Sequence, residues 1–212
     1  MSEHGLSVTQ HAGDGPAVRD DAQPDRVQPV FWFDLGSPEA YLAAERVMAE
    51  LPAVPEWVPI LEAALPGHTA GDAAARRAAV ERAAQAQHVQ PLRWPAAWPG
   101  EDARPAMVAA TYAKQIGRAV AFALAAFRQA FAGGRALDED TLLIAAAACE
   151  IHPRAVVQAL GRRSVGAALD AATARAAAAG VRQAPAIAVG DVVFEGADAV
   201  ERAARALEEA IA

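Results

Sequence analysis

The stretch VFWFDLGSPEAYLAAERV, residues 30–47, constrains this chain more than any other, because a short apolar strand runs straight into a helix. Val30, Phe31, Trp32 and Phe33 lack the polar alternation of a half-exposed strand. They suit a strand buried on both faces, in a sheet covered by helices. Pro38 fits the start of the helix, where the N–H it lacks would be unpaired in any case. Behind it, Ala40, Tyr41, Ala44, Val47, Met48 and Leu51 recur at helical spacing, with Glu39, Glu45 and Glu50 off that stripe.

The rest of the chain completes an α/β pattern. Val54–Ile60 predicts a second strand, which Pro55 and Pro59 confine to an edge or to its ends. Ala186–Val189 and Val192–Phe194 flank Gly190-Asp191, a two-residue turn that closes tight hairpins. A last helix follows, with Asp198 as N-cap, Glu201 at the capping-box spacing, and Val200, Ala204, Leu207 and Ile211 as its apolar stripe. Between the two halves, residues 67–163 are Ala-rich and predict helices near 70–88, 104–116, 118–132, 138–150 and 152–161, with another from Ser164 to about Ala179. Phe122, Phe127 and Phe131 supply most of the aromatic mass of that interval. The expected layout is a sheet domain from 29–66 and 164–212 with a helical domain inserted at 67–163. Residues 1–28 are polar, show no apolar period, and predict a disordered tail.

With 212 residues, 54% of them hydrophobic, the chain is long enough for one substantial core, or for two small ones sharing an interface. A formal charge of −7 argues against nucleic acid or an anionic membrane as partner, since both require clustered Lys and Arg. No run of eighteen uncharged apolar residues predicts a membrane span, and no basic-then-apolar N-terminus predicts a secretory signal. A single cysteine, Cys149, excludes an intramolecular disulfide. The five histidines show no metal-ligand spacing, and Pro38-Glu39 after Ser37 removes the nucleophile-elbow reading of a serine hydrolase. These features together predict a cytoplasmic, metal-free protein.

Four segments lie in an order similar to that of the DsbA-like branch of the thioredoxin superfamily: FDLGSPEAYLA at 33–43, WPAAWPGED at 94–102, GRAVAFALAAFRQAF at 117–131 and GVRQAPAIAVGDVVFEGADAVE at 180–201. The chain resembles most its cysteine-free members, 2-hydroxychromene-2-carboxylate isomerase and the kappa-class glutathione transferases. The implied fold is thioredoxin-like with an inserted helical domain. Redox members of the superfamily carry Cys-Pro-x-Cys where this chain has Ser37-Pro38-Glu39-Ala40, so disulfide chemistry is not expected.

The resemblance also implies roles. Ser37 takes the place of the attacking cysteine and would donate a hydrogen bond to the sulfur of bound glutathione or another low-molecular-mass thiol, aided by the positive end of the helix that Pro38 begins. The same serine reads equally as a plain N-cap. Ala184-Pro185 falls at the family's cis-proline, which would leave the backbone of Ala184 free to pair with the thiol peptide as an added strand. Gly196-Ala197-Asp198 resembles the segment that binds the γ-glutamyl end, although Asp198 also makes a good N-cap. Trp94 and Asp102 would line a substrate pocket, and Trp98 would plug the junction between the two halves. Glu195 stands where the family carries a bulky aromatic and would repel an acidic ligand, and Ala199 replaces a polar or basic residue. The implied function is a thiol-dependent isomerase or transferase acting on a small aromatic or electrophilic substrate. The alternative is a non-catalytic binding or scaffold protein that kept the fold. A homodimer is compatible with either.

Overall fold

The computed structural model describes residues 28–69, 71–100 and 102–211. The disordered tail expected for the N-terminus therefore lies, but for Gln28, outside the described residues. Strands β1 (Val30–Phe33), β2 (Glu56–Pro59), β3 (Ala186–Val189) and β4 (Val192–Glu195) form one mixed sheet in the order β2-β1-β3-β4. β1 runs parallel to β2, with Trp32 opposite Val58, and antiparallel to β3, with Phe31 opposite Ile187. The expected side-by-side placement of the two terminal segments is thus met, and β2 is an edge strand, where its flanking prolines leave no central ladder bond unmade. Gly190 turns the β3–β4 hairpin at φ 59°, a conformation that glycine adopts without a Cβ clash.

Among the described residues, eight α-helices accompany the sheet: α1 (Pro38–Glu50), α2 (Ala73–Ala86), α3 (Arg104–Gln115), α4 (Ala119–Phe127), α5 (Glu139–Ala147), α6 (Pro153–Leu160), α7 (Arg163–Ala178) and α8 (Ala199–Ile211). Helix α4 widens into a π-type turn over Arg128–Ala132, so the stretch expected as one helix at 118–132 is two kinds of winding. A 3-10 turn at Glu62–Ala64, which the sequence pattern did not show, follows β2.

Side chains alternate across the sheet with period two. Phe31, Phe33, Trp57 and Ile187 enter the larger core with α1, α3, α4 and α8, while Trp32, Val58, Ala186 and Ala188 pack on α7. Both faces of β1 are therefore buried, as its composition requires. Phe127 joins the two halves, with its ring 6.0 Å from Phe33 and 6.1 Å from Tyr41. Met48 departs from the expected stripe of α1 and is exposed. The off-stripe acids of α1 are not merely solvated either: Glu45 pairs with Arg128 and Glu50 with Arg46.

Candidate functional site

The site is built where β1 gives way to α1. Asp34 ends the apolar run and is buried, with Oδ1 accepting from the Gly36 N–H and Oδ2 from the Glu62 N–H, both at 2.8 Å. It thereby staples the β1–α1 loop to the end of β2. Burial pushes its pKa up, against the pull of those two N–H donors. Gly36 permits this closeness: a Cβ there would lie 3.3 Å from both Ala103 Cβ and Asp34 Oδ1.

Ser37 is the N-cap of α1, its Oγ accepting from the Ala40 N–H at 3.3 Å. The same Oγ lies 3.0 Å from the Ala184 carbonyl, 3.1 Å from Glu39 Oε2 and 3.5 Å from Arg76 Nη2. A hydroxyl has one proton to give, so Ala184 and Glu39 compete for it. The cap reading and the site reading thus apply to one atom at once. Ser37 is only 1% exposed, since Arg76 of α2 closes over it in a two-pronged ion pair with Glu39, both contacts at 2.6 Å. Arg76 also stacks 5.6 Å from the ring centroid of Trp98.

The Ala184-Pro185 bond is cis, in keeping with the expectation, and so is Trp98-Pro99, which the sequence did not flag. The backbone of Ala184 differs from expectation. Its N–H donates to Glu62 Oε1 at 3.1 Å and its carbonyl accepts from Ser37, so both groups expected to be free are already paired within the chain. The physical reason is Glu62 itself, which the 3-10 turn aims inward under Arg76 at 3.7 Å. Burial first, then the nearby Asp34 and Glu39 carboxylates, push Glu62 up to about 7, against the Ala184 N–H and Arg76.

Three clefts meet around these groups. A narrow one of about 100 Å³ runs between α1, α2 and α8 and is lined by Glu39, Arg46, Gln87, Pro185, Gly196 and Ala197. A second, of about 420 Å³, takes in Glu62, His68, Arg76, Arg182, Ala184 and Pro185. The largest, about 640 Å³, is walled by Trp98, Phe131, Pro95, Pro99 and Leu137, with Asp34, Glu62, His68, Arg76, Asp102 and Asp138 among its polar members. Glu62 and Arg76 line both of the larger clefts.

Of the residues singled out by sequence, Ser37, Pro38, Ala184 and Pro185 cluster at this junction, with Ser37 covered rather than open. Ala197 lies on the narrow cleft beside Pro185. Asp198 is exposed and faces Arg202 at 3.6 Å. The expected capping box is not formed from Glu201: its Oε1 pairs with Arg46 at 2.6 Å and its Oε2 has no partner. Asp102 lines the largest cleft while accepting from the Arg104 N–H at 2.8 Å. Trp94 stands behind that wall, 4.6 Å from Trp98, with its Nε1 donating to Glu81. Trp98 both fills the junction, donating to the Gly36 carbonyl, and walls the cleft. The repulsion expected from Glu195 has another outcome. Its carboxylate folds back onto the N–H groups of Arg182 and Gln183, at 2.6 and 3.1 Å, and fixes the segment that precedes Pro185.

Asp34, Glu39, Glu62 and Arg76 were missed as site residues by sequence reasoning. The available signal was a lone carboxylate inside each of two apolar runs, FWFDL and PILEAAL. Among the described residues, no group of three His, Cys, Asp or Glu side chains is placed to hold a metal ion.

A DSBA-like thioredoxin domain matches residues 30–208, and the chain belongs to that family. A solved 2-hydroxychromene-2-carboxylate isomerase superposes with a TM-score of 0.75 at 21% identity, covering 86% of this chain and 95% of that one. A probable DsbA oxidoreductase from Streptomyces coelicolor superposes with a TM-score of 0.69 at 19% identity, covering 87% and 89%. At such identities the superpositions speak for the fold. No curated protein matches the chain.

Within the family, then, this member carries Ser37 and Ala40 in place of a cysteine pair, and Cys149, its one thiol, is buried after α5 with its pKa pushed up by that burial. For a low-molecular-mass thiol the residues fit at the sulfur end: a helix N-terminus, a hydroxyl and a guanidinium converge there. At the peptide end the fit requires Glu62 to release Ala184.

Proposed function

We propose that the chain is a thiol-dependent isomerase or transferase acting on a small aromatic or electrophilic substrate in the cytoplasm. The observation that carries this is the convergence of the Ser37 hydroxyl, the first turn of α1 and Arg76 beside cis-Pro185, adjoining an aromatic-walled cleft of about 640 Å³. A low-molecular-mass thiol, such as glutathione, would supply a nucleophilic sulfur able to add to an electron-poor carbon and leave again. Ser37 and Arg76 would hold that sulfur as thiolate, one by hydrogen bond and one by charge. Gly196 and Ala197 would meet the far end of the thiol peptide, with Asp198 at the rim. Trp98 and Phe131 would flank a flat substrate, and Asp102 would limit its orientation.

A binding or scaffold role is the second reading, favoured by the ion pair that covers Ser37 and by the paired backbone of Ala184. A thermal-shift panel of glutathione, mycothiol-like and bacillithiol-like thiols separates the two. The catalytic reading expects one of them to raise Tm in the native chain and to lose that effect in Ser37→Ala. Identical melting with and without every thiol sinks it in favour of the second reading.

A further inference from the structure

We propose that Glu62 is the proton acceptor of this site, taking the S–H proton of a thiol held beside Ser37 and returning it when the thiol departs. The inference rests on the thiol-dependent reading and adds to it a residue that the fold resemblance does not supply. Glu62 and Ser37 grip the two sides of one residue: Glu62 Oε1 accepts from the Ala184 N–H and Ser37 Oγ donates to the Ala184 carbonyl. One nitrogen, Arg76 Nη2, lies 3.5 Å from Ser37 Oγ and 3.7 Å from Glu62 Oε2.

Three carboxylates surround that guanidinium, and only one has an oxygen to spare. Asp34 spends both oxygens on backbone N–H groups, and Glu39 spends both on Arg76 at 2.6 Å. Among the described residues, Glu62 Oε2 has only the long contact to Arg76, leaving lone pairs for an incoming proton. Its side chain is 11% exposed, and it lines both larger clefts, so a thiol entering by either one meets it. The charged and titratable groups around it are Asp34 from the β1–α1 loop, Glu39 from α1, Asp72 at the N-cap of α2, Arg76 from α2, His68 from the loop before α2 and Arg182 from the segment before β3, with Asp102 and Asp138 lining the largest cleft. Burial and the two neighbouring carboxylates hold it near neutrality, where acceptor and donor forms are both populated.

The step balances without a further reagent. The S–H bond breaks, an O–H bond forms on Glu62, and the negative charge moves from the carboxylate to the sulfur, where Ser37 and Arg76 face it. No proton leaves the site.

The proton count tests this. Glutathione is titrated into the native chain at pH 7.5 by calorimetry in two buffers of different ionisation enthalpy, while thiolate is followed by ultraviolet absorbance. S-methylglutathione, with no proton to give, serves as control. The native chain is expected to form thiolate while releasing fewer than about 0.3 protons per site. Glu62→Gln keeps an oxygen for the Ala184 N–H, and is expected either to release close to one proton per thiolate or to form none. Release of about one proton by the native chain, binding without thiolate, or thiolate formation in Glu62→Gln without release would each overturn the role of Glu62. A native chain that binds no glutathione is titrated in the same way with the mycothiol-like and bacillithiol-like thiols; absence of binding by all three, a different outcome, overturns the thiol reading and this proposal with it.

Discussion

A carboxylate that burial holds up to about pH 7 leaves a signature in stability. Between about 4.5 and 7 the folded chain binds more protons at Glu62 than the unfolded chain does, so stability falls as pH rises through that window. Asp34, also raised by burial, acts in the same sense. The Glu62 contribution is on the order of 3 kcal/mol for a shift of that size. Urea denaturation across pH 4 to 8 is expected to show this decline, and Glu62→Gln is expected to flatten it; an unchanged slope in the variant would contradict the burial argument. Ser37 carries a second residue-scale prediction. Because its Oγ both caps α1 and holds the Ala184 carbonyl, Ser37→Ala is expected to lose about 1–2 kcal/mol of stability. Stability indistinguishable from the native chain would show that neither bond matters.

At the scale of elements, α2 is the part that converts a capped helix start into a site. Its stripe is mostly alanine, and its hold on the body runs through Arg76 to Glu39 and Arg77 to the Trp98 carbonyl. Arg76→Met removes the guanidinium that stands among Asp34, Glu39 and Glu62. It is expected to cost about 2 kcal/mol near pH 8 and to move the Glu62 titration above about 7, read by carboxyl carbon NMR. A titration that stays in place would mean the guanidinium is solvated away from Glu62. The elements themselves were legible in sequence, because apolar period, proline and the Gly190 turn each act over a few residues. Ser37 as cap was legible for the same local reason, and Pro185 as cis through the family resemblance. What was not legible depended on distance along the chain. Nothing near Glu39 says that an arginine thirty-seven positions on will fold over it, and nothing near Glu195 says that it will bond the backbone at 182 and 183. Lone acids inside apolar runs announced that they must be satisfied, without announcing by whom.

For the whole molecule, the question is whether the helical stretch between β2 and β3 behaves as a unit apart from the sheet. No helix among the described residues is long and apolar enough to cross a membrane. The packing argues for one cooperative body. A single core cluster takes in Phe31 and Phe33 of β1, Tyr41 of α1, Met107 of α3, Phe122 and Phe127 of α4, Leu142 of α5 and Leu207 of α8. Phe127 stands at the crossing, touching the rings of Phe33 and Tyr41, while Phe131 one turn on reaches Tyr41 at 5.8 Å and Trp94 at 6.2 Å. Phe127→Ala would open a cavity between sheet and helices that no neighbour on either side can fill by itself, at about 3–5 kcal/mol. Denaturation followed by tryptophan fluorescence reports on Trp32 and Trp57 in the sheet and on the paired Trp94 and Trp98 at the junction, while circular dichroism is dominated by the helices. In the native chain the two curves are expected to coincide, and in Phe127→Ala to shift together to lower denaturant with the same slope. Curves that separate in the variant, with helicity outlasting the tryptophan signal, would instead divide the molecule into a sheet unit and a helical unit coupled only at that ring.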